Sequence, residues 1–198
     1  MSVMKKIIII LVLLLISGFI IYKTTNIRRL IHNFETGQKI DSLNGVYVYY
    51  NGNVGNVVKR NTKNGYNIGL EYQCVEFVKR YYYEYFNHKM PDSYGHAKSF
   101  FDKNVPDGKI NKKRDLIQYK NPSYSKPQKN DLIVMDATKY NSYGHVVIVS
   151  QVFDNEIEII QQNPGPNAPS RKNIKIKLTN DNKWLIDDDK ILGWLRKE

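Results

Sequence analysis

Apolar and polar residues recur with three different patterns along this chain. Residues 7–22 form an unbroken apolar run directly after Lys5 and Lys6. In residues 72–85, apolar and aromatic positions recur at spacings of three and four, which predicts an amphipathic helix. From residue 131 onward, short β-branched runs separated by turn residues predict strands. A helix followed by a sheet is typical of an α+β domain rather than of alternating α/β units.

The predicted helix contains the only cysteine of the chain. Its apolar stripe consists of Cys74, Val78, Tyr81, Tyr82 and Tyr85, whereas Lys79, Arg80 and Glu84 fall elsewhere. Glu76 and Arg80 have the i, i+4 spacing of a favourable ion pair. Asn87 is predicted to be a left-handed cap, and Pro91 stops the helix.

The segments around this helix differ in how strongly they predict structure. Strands are predicted at 131–137, 144–152, 156–163, 173–178 and 191–195, with a hairpin at "FDNE" joining the second strand to the third. Asn-Gly breaks within 44–58 suggest short strands or an irregular lead-in. Residues 93–103 are compatible with a second short helix. The polar stretch 104–130 is interpreted as a long surface connection.

The N-terminal apolar run has the composition of a membrane span. Its 16 residues cover about 24 Å as a helix, somewhat less than the ~30 Å hydrocarbon core, with lysines at both ends that are able to snorkel. No small-residue cleavage site follows it. We therefore expect an uncleaved signal-anchor at 7–22, a cytoplasmic tail at 1–6, a juxtamembrane linker at 23–40 and one domain at 41–198. The short tail favours a domain outside the cytoplasmic membrane, although the flanking charges do not settle the orientation.

The chain is basic, with 30 Lys and Arg against 19 Asp and Glu, a formal net charge of +11. This surplus favours an anionic neighbour such as phospholipid headgroups or the anionic polymers of a bacterial wall, and a merely solvated basic surface is an equal alternative. Nucleic acid is disfavoured because the basic residues are scattered and no reading motif is present. A single cysteine forms no internal disulfide.

Cysteine and histidine are the residues with the clearest chemical potential. Cys74 lies in the first turns of the predicted helix, where the backbone lowers a thiol pKa, although position alone favours a buried structural cysteine. His145 opens an apolar strand directly after Gly144, and His96 is its rival as the partner base. His32 and His88 are interpreted as structural or solvated. No spacing indicates a metal site or a serine nucleophile elbow.

The motifs "YQCVEFVKRYYYEYF", "YGHVVIVSQV" and "IIQQN" resemble the CHAP family, the cysteine- and histidine-dependent amidohydrolases and peptidases of the papain-like superfamily. The resemblance covers roughly residues 41–198. Together with "MPDSYGHAKSFF", "DLIVMD" and "ILGW", the motifs are most similar to the branch that contains the amidase domain of glutathionylspermidine synthetase/amidase. It implies a papain-like fold, with a Cys-bearing helix packed on an antiparallel sheet that carries the His.

The resemblance also implies roles for individual residues. Cys74 corresponds to the nucleophile and His145 to the general base. Gln161 stands where the family usually has a Glu that orients the imidazole, and Asn163, expected to be held extended by Pro164, shares that role. Gln73 and the Cys74 backbone N–H are candidates for the oxyanion hole. No cofactor or metal is implied.

Three functions follow as hypotheses. The first is a membrane-anchored amidase or endopeptidase that cleaves peptidoglycan through a thioester acyl-enzyme. The second is a glutathionylspermidine-type amidase acting on a small peptide–amine amide, which is expected in the cytoplasm. The third is a non-catalytic wall-binding module, in which Gln161 marks a decayed site.

Overall fold

The computed structural model describes residues 3–24, 34–165 and 168–198. Its first element is α1, Val3–Thr24, whose 22 residues extend for about 33 Å at ~1.5 Å per residue. The segment Val3–Ile21 has a mean hydropathy of 2.6 and none of it is buried against the rest of the protein. Among the described residues, α1 is the one helix that is long enough and apolar enough to cross a membrane. A signal sequence has the same properties. The helix begins before the predicted apolar run.

Two small antiparallel hairpins come next in the chain. They are β1 and β2, Lys39–Leu43 and Val46–Tyr49, and β3 and β4, Arg60–Lys63 and Tyr66–Leu70. The helix α2, Cys74–Phe86, follows β4, and a short 3₁₀ helix, Ala97–Phe100, comes after it. This 3₁₀ helix is the only helical part of the stretch 93–103, in which the sequence is compatible with a short helix.

The remaining strands form one antiparallel sheet. They are β5 Lys109–Asn111, β6 Leu116–Lys120, β7 Leu132–Met135, β8 His145–Val152, β9 Glu156–Ile160, β10 Arg171–Leu178, β11 Trp184–Ile186 and β12 Ile191–Arg196. Within the described residues the spatial order is β11-β10-β9-β8-β7-β12-β6-β5, and every neighbouring pair is antiparallel. The predicted α+β class and the β8–β9 hairpin are confirmed. The sequence analysis missed β11.

The helix α2, predicted over residues 72–85, begins two residues later, at Cys74, and ends one residue later, at Phe86. Asn87 caps its C-terminus with φ 50°, in the left-handed region. The expected polar face is wrong, because Lys79 and Arg80 are 1% and 5% exposed. Their burial follows from packing on several sides, since α2 contacts β2 and β4 as well as β8. Tyr85, which we placed on the buried stripe, is 46% exposed.

The interpretation of residues 104–130 as a surface connection is also wrong. This stretch contains β5 and β6, and it buries Asn111, Arg114 and Gln118. Each of these side chains makes internal hydrogen bonds, for example from Asn111 Nδ2 to Gln118 Oε1 at 2.9 Å, and only Arg114 Nε among their polar atoms is buried without a partner in the described residues. A polar sequence can therefore lie inside a protein when its groups pair with one another.

The sheet is buried on both faces around β8. Val146 and Ile148 belong to the apolar cluster that includes Phe77 of α2, whereas Val147 and Val149 belong to a second cluster with Trp194. Alternate residues of a strand point to opposite faces, so a continuous apolar run is needed here. The strand that begins at His145 is therefore rigidly supported on both sides.

The described part of the predicted linker 23–40 consists of residues 23–24 at the end of α1 and residues 34–40, which pack on the domain. The Gly37 N–H donates to the Tyr50 carbonyl at 2.8 Å, and the Phe34 and Tyr50 rings lie 5.6 Å apart. Strand β1 begins at Lys39. Residues 25–33 lie outside the described part of the chain, and His32 is among them.

Candidate active site

Cys74 is the first residue of α2 and is partly exposed. Tyr72, with φ 63°, turns the chain between β4 and the helix. The backbone N–H groups of Val146, Val75 and Cys74 itself lie near the thiol and favour its ionised form. Val146 follows His145, so the start of α2 lies against the start of β8. Burial nevertheless raises the pKa of the Cys74 thiol to about 11, and the three N–H groups offset only part of that rise.

His145 is the first residue of β8 and follows a glycine that the fold requires. Gly144 has φ 75°, and a Cβ there would lie 2.5 Å from the Met135 carbonyl oxygen and 2.9 Å from Lys98 Cβ. The missing side chain of Gly144 allows another group to approach closely. In the structure, the backbone of the neighbouring strand β7 approaches. A larger residue would displace the start of β8 and the imidazole with it.

The imidazole of His145 is held in one tautomer by Gln161. His145 Nε2 lies 3.1 Å from Gln161 Oε1, while Gln161 Nε2 donates to the Pro169 carbonyl at 3.0 Å. The bond to Pro169 fixes which end of the amide faces the ring. Because Oε1 only accepts hydrogen bonds, His145 Nε2 must donate, and Nδ1 of the neutral ring keeps its lone pair.

Burial also sets the charge state of His145. It lowers the pKa of the imidazole to about 4, and the hydrogen bond with Gln161 opposes that change only in part. With the thiol pKa raised and the imidazole pKa lowered, both groups are neutral at pH 7. The position of Cys74 at a helix N-terminus suggested a lowered thiol pKa from the sequence. In the structure, this position does not supply a preformed thiolate.

Asn163 and Gln73 contact each other. Asn163 Nδ2 donates to Gln73 Oε1 at 2.8 Å and to the Val54 carbonyl at 2.9 Å. Gln73 Nε2 donates to the carbonyls of Val54 and Asn56 at 3.2 Å and 2.8 Å. The expected extended conformation of Asn163 is wrong, because its φ is 54°. The side-chain N–H groups of both residues thus bind carbonyls of residues 54–56, and that of Asn163 also binds the Gln73 side-chain oxygen.

The other described histidines lie in different environments. His88 is buried, with Nε2 2.8 Å from the Arg114 carbonyl, and burial lowers the pKa of its imidazole. This agrees with a structural role. His96 is exposed at the start of the 3₁₀ helix, and its ring lies 4.7 Å from that of Tyr143.

Gln162 is a buried polar residue that the sequence analysis did not single out. It is 0% exposed and contacts Glu76, which is 2% exposed and pairs with Arg80. The Glu76–Arg80 pair was predicted from its spacing, but as a surface feature. The signal that was available is the position of Gln162 between two motif residues, Gln161 and Asn163.

A groove opens beside Gln73. Its cavity volume is about 30 Å³, and its lining includes Tyr49, Asn51, Val54, Asn163, Pro164 and Ser170. Val54 and Asn163 both contact the Gln73 side chain. The groove is therefore separated from Gln73, the residue that precedes Cys74, by the width of a single residue.

Exposed aromatic residues surround the entry to β8. Tyr140 and Tyr143 are 89% and 59% exposed, and Lys139 lies over the Tyr140 ring at 5.2 Å. Asn141 ties their turn to the Gly144 carbonyl at 2.8 Å. We call Tyr140, Tyr143 and His96 the aromatic rim. Large exposed rings next to a candidate site are typical of a binding surface.

Comparison with known proteins identifies the class. The CHAP domain family model matches residues 61–163, which include Cys74 and His145. The chain belongs to the CHAP domain family, as its motifs predicted. This membership indicates an enzyme of the amidase or peptidase class that hydrolyses amide bonds.

Two curated relatives are both from Crithidia fasciculata. Trypanothione synthetase is 32% identical over 123 residues, 61% of this chain and 19% of the relative. Glutathionylspermidine synthase is 26% identical over 136 residues, 65% of this chain and 19% of the relative. The chain thus spans about a fifth of their length. A solved structure described as the crystal structure of Ly7917 has a TM-score of 0.34 and 18% identity, over 64% of this chain and 53% of that one.

Proposed function

We propose that this protein is a membrane-anchored cysteine amidohydrolase that cleaves amide bonds of peptidoglycan. The observation that carries the proposal is the arrangement at the start of α2 and β8. The Cys74 thiol lies against the Val146 N–H, and the adjacent His145 has its Nε2 on Gln161. This leaves Nδ1 of the imidazole as a base beside the helix N-terminus.

The mechanism follows from two neutral groups. His145 Nδ1 takes the thiol proton while Cys74 Sγ forms a bond to the amide carbonyl carbon. The carbonyl oxygen gains negative charge, and backbone N–H groups at the start of α2 stabilise it. The imidazolium then gives its proton to the amine nitrogen as the C–N bond breaks, which leaves a thioester. Water attacks the thioester, His145 takes the water proton and returns it to sulfur, and the acid is released.

Gln161 supports this cycle with an acceptor but without a charge. Its oxygen holds the imidazole and its tautomer, whereas a carboxylate would also stabilise the imidazolium. The free enzyme is therefore a thiol–imidazole pair that ionises only during attack. In the oxyanion hole, the Cys74 N–H is the better donor, since the Gln73 amide is bound to the Val54 and Asn56 carbonyls.

The wall as substrate is supported by charge and by the surface near the site. The net charge of +11 favours an anionic polymer. The aromatic rim offers rings on which the sugar rings of a glycan can stack. The α1 helix supports anchoring of the domain at the membrane surface.

The test of the activity uses the full-length chain in detergent micelles. Wall preparations of several chemotypes, defined muropeptides and glutathionylspermidine are each incubated with the wild type and with Cys74→Ala. Mass spectrometry is expected to find new amine and carboxylate ends in the muropeptides, absent with Cys74→Ala. If neither the wild type nor Cys74→Ala yields products, the result counts against an enzyme. If both yield equal amounts, Cys74 has no part in the mechanism.

The aromatic rim provides a test of the substrate. Replacing Tyr140 or Tyr143 by Ser removes a stacking ring worth ~1 kcal/mol, so KM for wall is expected to rise about fivefold with kcat unchanged. Tyr124→Ser is the matched control, because Tyr124 is 69% exposed and has Lys183 over its ring at the same 5.2 Å. Equal effects at Tyr124 and at the rim would show that the rim has no special role.

A glutathionylspermidine-type amidase is the second candidate, and the two Crithidia relatives favour it. Release of a polyamine in the same digests, with the wall intact, would support it. A topology reporter at the C-terminus separates the two ideas, since a domain outside the cytoplasm favours the wall.

A non-catalytic module is the third candidate, favoured by Gln161 in place of Glu. That idea fails if Cys74 forms a thioester with any of the substrates.

A further inference from the structure

Gln162 joins three segments of the domain through one buried side chain. Its Oε1 accepts from the Tyr49 backbone N–H at 2.8 Å. Its Nε2 donates to the Gln73 carbonyl at 3.0 Å and to Glu76 Oε2 at 2.9 Å. Strand β2, the start of α2 and the segment after β9 are therefore held together by both ends of one amide.

The partner of Gln162 on α2 is itself fixed. Arg80 Nε and Nη2 donate to the two oxygens of Glu76 at 2.6 Å and 3.3 Å, and Asn61 Nδ2 donates to Oε1 at 3.2 Å. The Arg80 guanidinium also stacks over the Tyr49 ring at 4.9 Å. A buried carboxylate with this many partners has little freedom, so it is a firm anchor for Gln162.

The sequence positions of these contacts matter more than their number. Gln162 follows Gln161, which holds the imidazole, and its amide binds the carbonyl of Gln73, which precedes Cys74. One side chain thus connects the neighbours of two proposed site residues that lie 87 residues apart in the chain. A shift of Gln162 would move Gln161 through the peptide bond between them. It would also move Cys74, through the hydrogen bond from Gln162 to the Gln73 carbonyl.

We propose that Gln162, anchored by Glu76 and Arg80, is a positioning residue that fixes the start of the Cys74 helix relative to Gln161 and the His145 ring. This inference rests on the proposed function. The hydrogen bonds of the Gln162 side chain go to Tyr49, Gln73, Glu76 and Arg80 and not to the thiol or the imidazole, so it acts through its neighbours. The alternative is that Gln162 merely satisfies buried polar groups in the core.

Gln118 offers a matched control for that alternative. It is also 0% exposed and fully bonded, accepting from Asn111 Nδ2 and the Asp102 N–H at 2.9 Å and donating to the Asp102 carbonyl at 2.8 Å. These bonds join the segment after the 3₁₀ helix to β5 and β6, and none of them involves Cys74, His145 or Gln161. Replacing either glutamine by Met keeps the length and removes the hydrogen bonds.

The experiment compares Gln162→Met and Gln118→Met in the full-length chain labelled with ¹⁵N-histidine, in micelles. Both variants are expected to lower the urea midpoint by similar amounts. Only Gln162→Met should lower the His145 titration midpoint, by about half a pKa unit or more, because Gln161 is then held less well as an acceptor. On a cleaved substrate, kcat should fall about tenfold or more with KM within twofold for Gln162→Met alone, as expected for a lost positioning contact.

An unchanged His145 midpoint in Gln162→Met, or an equal change in Gln118→Met, would overturn the proposal. If Gln162→Met does not fold, Gln162→Asn keeps the amide but is one methylene short, and it should lower the midpoint in the same direction. The titration does not depend on turnover. A shift without any wild-type hydrolysis would leave the positioning role standing and remove the proposed activity.

Discussion

Gln161 is a neutral hydrogen-bond acceptor for His145, so replacing it should raise or lower the pKa of the imidazole depending on the new residue. Gln161→Glu places a carboxylate where the amide oxygen now lies 3.1 Å from His145 Nε2. At that separation and an effective dielectric constant of ~20, the attraction between carboxylate and imidazolium is about 5 kcal/mol, or roughly 4 pKa units. This is an upper limit, because the second oxygen would face the Pro169 carbonyl, which now accepts a hydrogen bond.

Shifts of ~1 to 3 pKa units are usual for a single close opposite charge. Burial lowers the pKa of His145 to about 4 in the wild type, so we expect a value of roughly 5 to 7 in Gln161→Glu. Gln161→Ala has the opposite effect. The hydrogen bond that His145 donates to Gln161 raises the pKa of the imidazole, so its loss should move the midpoint below that of the wild type.

The assay is the ¹⁵N titration of the histidine rings in the full-length chain, with His145→Gln to assign the signal. The wild type should show a neutral ring protonated at Nε2 near pH 7. If the Glu and Ala variants leave the His145 midpoint in place or move it in the same direction, Gln161 does not hold this imidazole as described.

Three further predictions concern the support of the site and the fold. Gly144→Ala places a Cβ 2.5 Å from the Met135 carbonyl at φ 75°, and we expect a stability loss of ~1 to 2 kcal/mol in urea unfolding together with reduced kcat. Burial lowers the pKa of Lys79 to about 7 from 10.5, so the unfolded chain binds the additional proton between those values. Stability should therefore rise with pH from about 7 to 10.5, and Lys79→Met should remove that rise from the melting temperature; an unchanged slope would contradict it. Asp131→Ala leaves the 13% exposed Arg196 side chain without its bidentate partner at 2.7 and 2.8 Å and should cost ~3 to 5 kcal/mol, whereas a loss below 1 kcal/mol would show that water replaces the pair.

The sequence by itself determined the class of fold and the candidate chemistry. The three- and four-residue period of residues 72–85 placed α2, because that period is a local property of the helix. The β-branched runs placed β7 to β10 and β12 for the same reason. The order of the motifs around Cys74 and His145 indicated the family, which the match over residues 61–163 confirmed.

Tertiary packing decided which polar residues are inside. Lys79 and Gln162 are polar residues that are buried because partners distant in sequence satisfy them, whereas Arg80 is buried together with Glu76 of the same helix. The spacing of residues along one segment does not show which distant residues will pack against it. For the same reason, β5 and β6 were missed within the polar stretch 104–130. Burial depends on what the rest of the chain places alongside.

The charge state of the site was likewise a tertiary property. The sequence placed Cys74 at a helix N-terminus and so favoured a lowered thiol pKa, but desolvation against β8 outweighs the backbone N–H groups and raises it. Likewise, the sequence supplied Gln161 as an acceptor, and only the fold set its amide on Pro169 and thereby fixed the tautomer of His145. Local sequence fixes which groups are present and on which element they lie. Their protonation depends on solvent exclusion and on hydrogen bonds that form only when the elements meet.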